Sequence, residues 1–123
     1  MALGEIAEKR GDLDESLREY EAALQINPDI IDALNNSGFV LARMGRWTEA
    51  VGRFERIVAL TPDKAIAHFN LSFAYGMLRR YPEALHELEQ AIEIAPQDPR
   101  AEKWRAQAEQ LRRALSGQQK GEK

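Results

Sequence analysis

The fold is decided by residues 31–64, which read IDALNNSGFVLARMGRWTEAVGRFERIVALTPDK. The same pattern recurs before and after this stretch, because Pro28, Pro62 and Pro96 stand 34 residues apart. When the chain is aligned on these prolines, the apolar positions of three segments coincide. A period of this length, with helical rather than alternating spacing of apolar residues, is typical of an array of helical repeats.

The middle segment predicts two amphipathic helices separated by a tight turn. Leu34, Gly38 and Leu41 follow helical spacing and form the stripe of the first helix. Gly45 ends this helix, because a left-handed residue is least costly as glycine, and Pro62 ends the second helix, which proline cannot continue. The stripe of the second helix comprises Ala50, Val51, Phe54, Ile57 and Val58. Small side chains at Gly38 and Ala50 are expected to let the two helices approach closely.

The three segments together resemble the tetratricopeptide repeat family, whose pattern is a large apolar residue, Leu-Gly, Tyr, Ala, Phe and a closing Pro at fixed spacing. The matching residues of the second repeat are Leu34, Ser37, Gly38, Leu41, Ala50, Phe54 and Pro62. Those of the third are His68, Leu71, Ser72, Tyr75, Ala84, Leu88 and Pro96, and those of the first are Leu3, Gly4, Ala7, Ser16, Tyr20 and Pro28. The resemblance implies an all-α fold, a right-handed superhelical α-solenoid of helix-turn-helix repeats with seven helices.

The implied organisation is one domain over residues 1–116. Its parts are a first repeat over 1–30 that is incomplete at its N-terminal end, a second over 31–64, a third over 65–98, and a capping helix over 99–115. Asp98 is expected to cap this last helix and Trp104 to anchor it. Arg79 stands where Gly45 would, so a left-handed non-glycine residue is expected there, at a cost of about 1 kcal/mol. The polar tail, residues 117–123, is predicted to be disordered.

Composition narrows the possible functions. The chain has 123 residues, no cysteine and a net charge of −3, so disulfides are excluded and binding to nucleic-acid backbones is not expected. Its uninterrupted apolar runs reach four residues, far short of the roughly 20 that cross a bilayer, so no membrane association is expected. The N-terminus does not resemble a signal peptide. The expected location is cytoplasmic, or periplasmic if the chain comes from a secreted parent.

The resemblance implies a concave groove, lined by the first helix of each repeat, that binds a peptide or helix of a partner protein. The predicted groove residues are Asn35, Asn36, Phe39, Arg43, Ile66, Phe69, Asn70, Phe73, Met77 and Lys103, with Arg100 and Gln107 beside Lys103 on the capping helix. Asn36 and Asn70 occupy the position where peptide-binding family members keep an asparagine. The asparagine carboxamide can form hydrogen bonds with the backbone of an extended peptide, or simply with nearby backbone groups of its own chain.

An apolar strip runs along the predicted groove. Phe69, Phe73 and Met77 lie at i, i+4 and i+8, on a different face from the core stripe of the same helix. Two readings follow: an exposed interaction surface, or rings packed inside the superhelix. The family's clamp for chaperone tails requires Lys and Asn where Met1 and Glu5 stand, and Lys and Arg where Ile66 and Asn70 stand. The chain is therefore not expected to bind chaperone tails in that way.

No catalytic arrangement is evident in the sequence. His68 and His86 fall on different predicted helices, and no histidine pair has metal-ligand spacing. We therefore expect no enzyme activity, cofactor or metal. The predicted function is a non-catalytic adaptor or scaffold that binds a protein partner. The alternative is a self-associating scaffold that assembles through its N-terminal edge and its capping helix. The charges of these two ends favour such contacts, since residues 1–30 carry eight acids against three bases, and residues 99–123 carry seven bases against three acids.

Overall fold

The computed structural model describes the backbone of residues 2–121 and the side chains of residues 11–117. The helices over this range are α1 (Ala2–Ile26), α2 (Ile31–Arg43), α3 (Trp47–Leu60), α4 (Ala65–Met77), α5 (Tyr81–Ile94) and α6 (Ala101–Gly121). No strand occurs among the described residues. The predicted all-α class is confirmed, but the described backbone contains six helices where seven were predicted.

The missing helix is explained by the first repeat, which is one continuous helix instead of a hairpin. Gly11 stands one period of 34 residues before the turn residue Gly45 and aligns with it. It lies inside α1, whereas Gly45 has a φ of 76° and ends α2. Glycine permits a turn but does not impose one. A glycine inside a helix costs about 1 kcal/mol relative to alanine, which the surrounding helical residues can outweigh.

The two turns that do form share a stabilising ion pair that the first repeat lacks. These pairs, three residues apart at the start of the second helix, are Arg46–Glu49 at 2.6 Å and Arg80–Glu83 at 2.7 Å. The arginine hydrogen bond lowers the pKa of Glu49, and likewise that of Glu83. Asp12 and Glu15 stand at the equivalent positions. Two like charges therefore stand where the other two turns have an attractive pair. This difference explains why Gly11, although aligned with Gly45, does not form a turn.

The chain forms two compact units, residues 1–60 and residues 61–123. In the first unit α2 packs against both α1 and α3, and in the second α5 packs against both α4 and α6. The boundary falls four residues before the predicted end of the second repeat at residue 64. The prediction of one domain over residues 1–116 stays a prediction.

Close helix packing in each unit depends on a matched pair of residue sizes. In the first unit a Cβ at Gly38 would lie 2.7 Å from the ring of Phe54, so the expected close approach is confirmed. In the second unit Ser72 replaces the glycine and the smaller Leu88 replaces the phenylalanine. The Ser72 hydroxyl donates to the Ala84 carbonyl at 2.6 Å. A larger residue on α4 is thus accommodated by a smaller one on α5.

The turn between α4 and α5 confirms the expected strained residue. Arg79 has a φ of 60° and its side chain is exposed. Arg79→Gly is therefore expected to raise the free energy of unfolding by about 1 kcal/mol, because glycine adopts this conformation without a Cβ clash. Urea unfolding measures the change. Gly45→Ala, at the equivalent turn, should lower stability, and a loss of stability in Arg79→Gly would contradict the argument.

Helix α6 begins two residues later than predicted and runs six residues further. Pro99 and Arg100 lie in a turn, where the Asp98 carboxylate accepts a hydrogen bond from the Arg100 backbone N–H at 2.8 Å. The Arg100 guanidinium bonds the same carboxylate and holds the pKa of Asp98 at about 2. At the other end, the backbone is helical to Gly121, and the predicted disorder of residues 117–123 stays a prediction. No proline interrupts residues 116–121, and residues 122–123 lie outside the described range.

Candidate functional site

The second unit carries an apolar cavity of about 380 Å³ between α4, α5 and α6. Its walls are Phe69, Ser72, Phe73, Gly76 and Met77 from α4, Tyr81, Ala84 and Leu88 from α5, and Gln107, Gln110, Leu111 and Ala114 from α6. No residue with a charged side chain belongs to this set.

The cavity exists because each of the three helices contributes a small residue to the same part of its wall. Gly76, Ala84 and Ala114 place at most one carbon each at the walls. A Cβ built at Gly76 would meet no atom within 4 Å. The Ser72 hydroxyl is already used, since it donates to the Ala84 carbonyl. The floor of the cavity is therefore apolar and offers room for a side chain.

The apolar strip of α4, formed by Phe69, Phe73 and Met77, is packed inside at one end and exposed at the other. Phe69 is half-buried and stacks on Trp104, with ring centroids 5.7 Å apart and an interplanar angle of 25°. Phe73 is 55% exposed and Met77 is 51% exposed at the mouth of the cavity. Phe69 therefore serves as a fixed wall, whereas Phe73 and Met77 present apolar surface to solvent.

Four other predicted residues of the second unit do not line the cavity, and one of them is Arg100, which pairs with Asp98. Ile66 is 41% exposed at the start of α4, and Asn70 is half-buried in the same helix. Lys103 is exposed on α6, one turn before Gln107. Their predicted role in binding stays a prediction.

The predicted residues of the first unit lie along α2. Asn35 is half-buried, whereas Asn36 and Arg43 are exposed. Phe39 is 43% exposed and contacts Phe54 edge-on, with ring centroids 5.5 Å apart. Arg43 faces a hollow that it shares with Leu13, Asp14 and Met44. The α2 face thus offers one partly exposed ring and two exposed polar side chains.

Of the cavity residues on α6, Gln107 was predicted as a groove residue, whereas Gln110, Leu111 and Ala114 were not. All four follow helical spacing of three and four residues and share one face of α6. The apolar spacing of α6 assigns Leu111 to the same core stripe as Trp104 and Ala108, which gave no reason to place it at a binding site. Gly76 gave a further signal, since a glycine within an amphipathic helix often marks a close approach or an open space.

The side chains described over residues 11–117 contain no group of three or more His, Asp or Glu residues that could hold a metal ion. Within the described backbone, every helix is too short or too polar to cross a membrane.

Comparison with known families gives two matches. A model described as tetratricopeptide repeat matches residues 29–97, which is more than half of the chain. A second model, described as TPR repeat, matches residues 4–45. A search of curated proteins gave no match.

Several solved structures have a similar fold. The crystal structure of MamA superposes with a TM-score of 0.75 at 21% identity, covering 94% of this chain and 66% of that one. The first TPR domain of Spaghetti (RPAP3), bound to the HSP90 peptide SRMEEVD, gives 0.72 at 21% identity, covering 94% and 89%. YrrB, a TPR protein with an unusual peptide-binding site, gives 0.68 at 26% identity, covering 85% and 54%. The chain thus spans about two thirds of MamA and half of YrrB, and the family match shows that it belongs to the tetratricopeptide repeat family.

Proposed function

We propose that this chain is a non-catalytic protein-interaction module that binds a segment of a partner protein at the cavity of its second unit. The observation that carries the proposal is the exposed apolar mouth of the cavity, formed by Phe73 and Met77. Large apolar side chains that remain exposed around a concave, uncharged surface are typical of interaction sites.

The cavity walls are suited to a peptide that inserts one large apolar side chain and presents its backbone amides to Gln107 and Gln110. Apolar burial contributes about 25 cal/mol per Å², so insertion of a leucine or phenylalanine side chain would supply about 2 kcal/mol or more. The flexible thioether of Met77 can adapt to different shapes. Gln107 and Gln110 can each donate and accept hydrogen bonds, which fits recognition of a peptide backbone.

Two relatives by fold support a peptide as the class of partner. The RPAP3 domain is bound to an HSP90 peptide, and YrrB has a peptide-binding site. The chaperone-tail clamp itself is not proposed here, because Met1, Glu5, Ile66 and Asn70 stand where its required residues would be. The peptide SRMEEVD therefore serves as a negative control.

The test is selection of peptides from a displayed library against the intact chain, followed by titration of the best peptide against variants. Phe73→Glu is expected to weaken binding at least tenfold, or about 1.4 kcal/mol, because a carboxylate at the mouth must be desolvated. Ile94→Glu is the matched control, since Ile94 is 38% exposed on α5 but outside the cavity. Equal loss of affinity in both variants, or none in Phe73→Glu, would reject the cavity as the site.

Gly76→Leu separates loss of binding from loss of folding. The added side chain enters the open space of the cavity, so the variant should lose affinity while its unfolding midpoint stays constant or rises. A variant that binds as tightly as the wild type would show that the cavity is not occupied by the partner.

A further inference from the structure

The first unit leaves an apolar face of α1 partly uncovered. Ser16, Leu17 and Tyr20 are only half-buried, and they lie on one side of the helix. Their counterparts one repeat later on α3 are 0% to 3% exposed: Ala50, Val51 and Phe54. The difference arises because α2 folds back over α3, whereas residues 2–10 continue α1 and form no separate helix against it.

The segment that would cover this face is directed away from it. Gly11 is helical, so residues 2–10 continue the axis of α1 instead of turning back. A hollow of about 440 Å³, lined by Asp12, Leu13, Ser16 and Arg43, adjoins the uncovered face at Ser16. The like charges of Asp12 and Glu15, in place of the Arg–Glu pair of the other turns, oppose closure of the hairpin.

We propose that a second copy of this chain covers the face, through an exchange of residues 2–10 between two protomers. The sequence of this segment carries the repeat's own pattern, because Leu3, Gly4 and Ala7 align with Ser37, Gly38 and Leu41. A segment held in the straight helix cannot reach the face of its own chain. The same segment of a second copy can reach it, and can fill the hollow beside it.

The exchange is self-complementary. Within the first unit, the position of Gly38 lies against the ring of Phe54. One repeat earlier, the equivalent residues are Gly4 and Tyr20. Gly4 of each protomer would therefore meet Tyr20 of its partner, which is the reciprocal arrangement of a two-fold dimer. This interface is separate from the cavity of the second unit, so it does not depend on the proposed function.

A cysteine pair tests the exchange directly, since the chain has no cysteine of its own. In Gly4→Cys/Tyr20→Cys the two residues are 16 apart, or about 24 Å along one straight helix, whereas a disulfide needs Cα atoms within about 7 Å. We expect oxidation of the full chain to give a covalent dimer. An intramolecular disulfide would show a closed hairpin and overturn the proposal, and failure to form any disulfide would also overturn it. Gly4→Cys/Arg18→Cys, with Arg18 on the exposed side of α1, should form none.

Sedimentation of two hinge variants provides an independent test. The wild-type chain should sediment at twice its mass of 13.9 kDa. Gly11→Ala should lower the dimer dissociation constant roughly fivefold or more, because alanine favours the straight helix and meets no neighbouring atom. Asp12→Arg, which restores the Arg–Glu pair of the other turns, should shift the protein toward monomer. A monomeric wild type, or weaker association in Gly11→Ala, would overturn the proposal.

Discussion

Replacement of Trp104 by alanine is expected to lower the free energy of unfolding by about 3 to 4 kcal/mol. Trp104 is 2% exposed and is among the largest fully buried side chains of the described residues. Deleting it removes a large apolar area and leaves a void between α5 and α6. This effect should exceed that of any other single truncation to alanine in the second unit.

The surroundings of Trp104 explain why the void would not close easily. The indole belongs to a cluster with Leu88, Ala91, Ala101 and Ala108, in which four of the five members are leucine or alanine. Such short side chains have little freedom to extend into the empty space. The indole also stacks on Phe69 at 5.7 Å, and the Arg100 guanidinium lies 5.3 Å from its centre.

Urea unfolding of Trp104→Ala and of a matched control measures this effect. Lys103→Ala removes an exposed side chain from the same helix and should change stability by no more than about 0.5 kcal/mol. Trp104→Phe retains an aromatic ring and should fall between the two. A loss below about 1 kcal/mol in Trp104→Ala would mean that α6 contributes little to the second unit.

The sequence predicted the features of this fold that depend on local chemistry repeated at a fixed period. The ends of α2 and α3, the left-handed conformation of Arg79 and the burial of Trp104 all follow from glycine, proline and apolar spacing, and the structure confirms them. The alignment of Gly11 with Gly45 did not predict the conformation of Gly11, which lies inside α1. The conformation there depends on the ion pair beside the glycine, which a comparison of apolar positions does not reveal.

The candidate site was harder to predict, because its shape depends on side-chain sizes on three helices at once. Phe69 and Phe73 are one turn apart and equally apolar, yet one stacks on Trp104 and the other remains exposed. Nothing within α4 separates them, since the distinction is made by the position of α6. The open floor depends similarly on Gly76 and Ala84 lying at the same level, which sequence periodicity does not specify.

The histidine of the third repeat also acquired a role that its position in the pattern did not reveal. His68 occupies the place of the core residue Leu34 and is 6% exposed. Its Nε2 lies 2.8 Å from the Pro62 carbonyl, and its Nδ1 lies 2.8 Å from a carboxylate oxygen of Glu87. A carbonyl can only accept, so Nε2 donates its hydrogen to Pro62, while Nδ1 is paired with the Glu87 carboxylate. The ring thus links the turn before α4 to the middle of α5.

His68→Leu is expected to lower the free energy of unfolding by about 3 kcal/mol, although leucine fits the same position in the second repeat. The loss arises because the Glu87 carboxylate, only 13% exposed, and the Pro62 carbonyl would both lose their partner. The Nε2 of His86, on an exposed ring, lies 3.9 Å from the other carboxylate oxygen of Glu87. That distance is too long for a hydrogen bond that could replace the lost one.

A double-mutant cycle distinguishes this pairing from simple packing. Glu87→Leu removes the carboxylate, so the second substitution in His68→Leu/Glu87→Leu should cost much less than either does alone. We expect a coupling of at least about 1.5 kcal/mol by urea unfolding, since a buried polar group is expensive only when its partner is missing. Additive losses would mean that His68 acts as a core residue like Leu34. Strong coupling would mean that the third repeat replaced an apolar contact with a hydrogen-bonded pair that fixes the α4–α5 hairpin against its preceding turn.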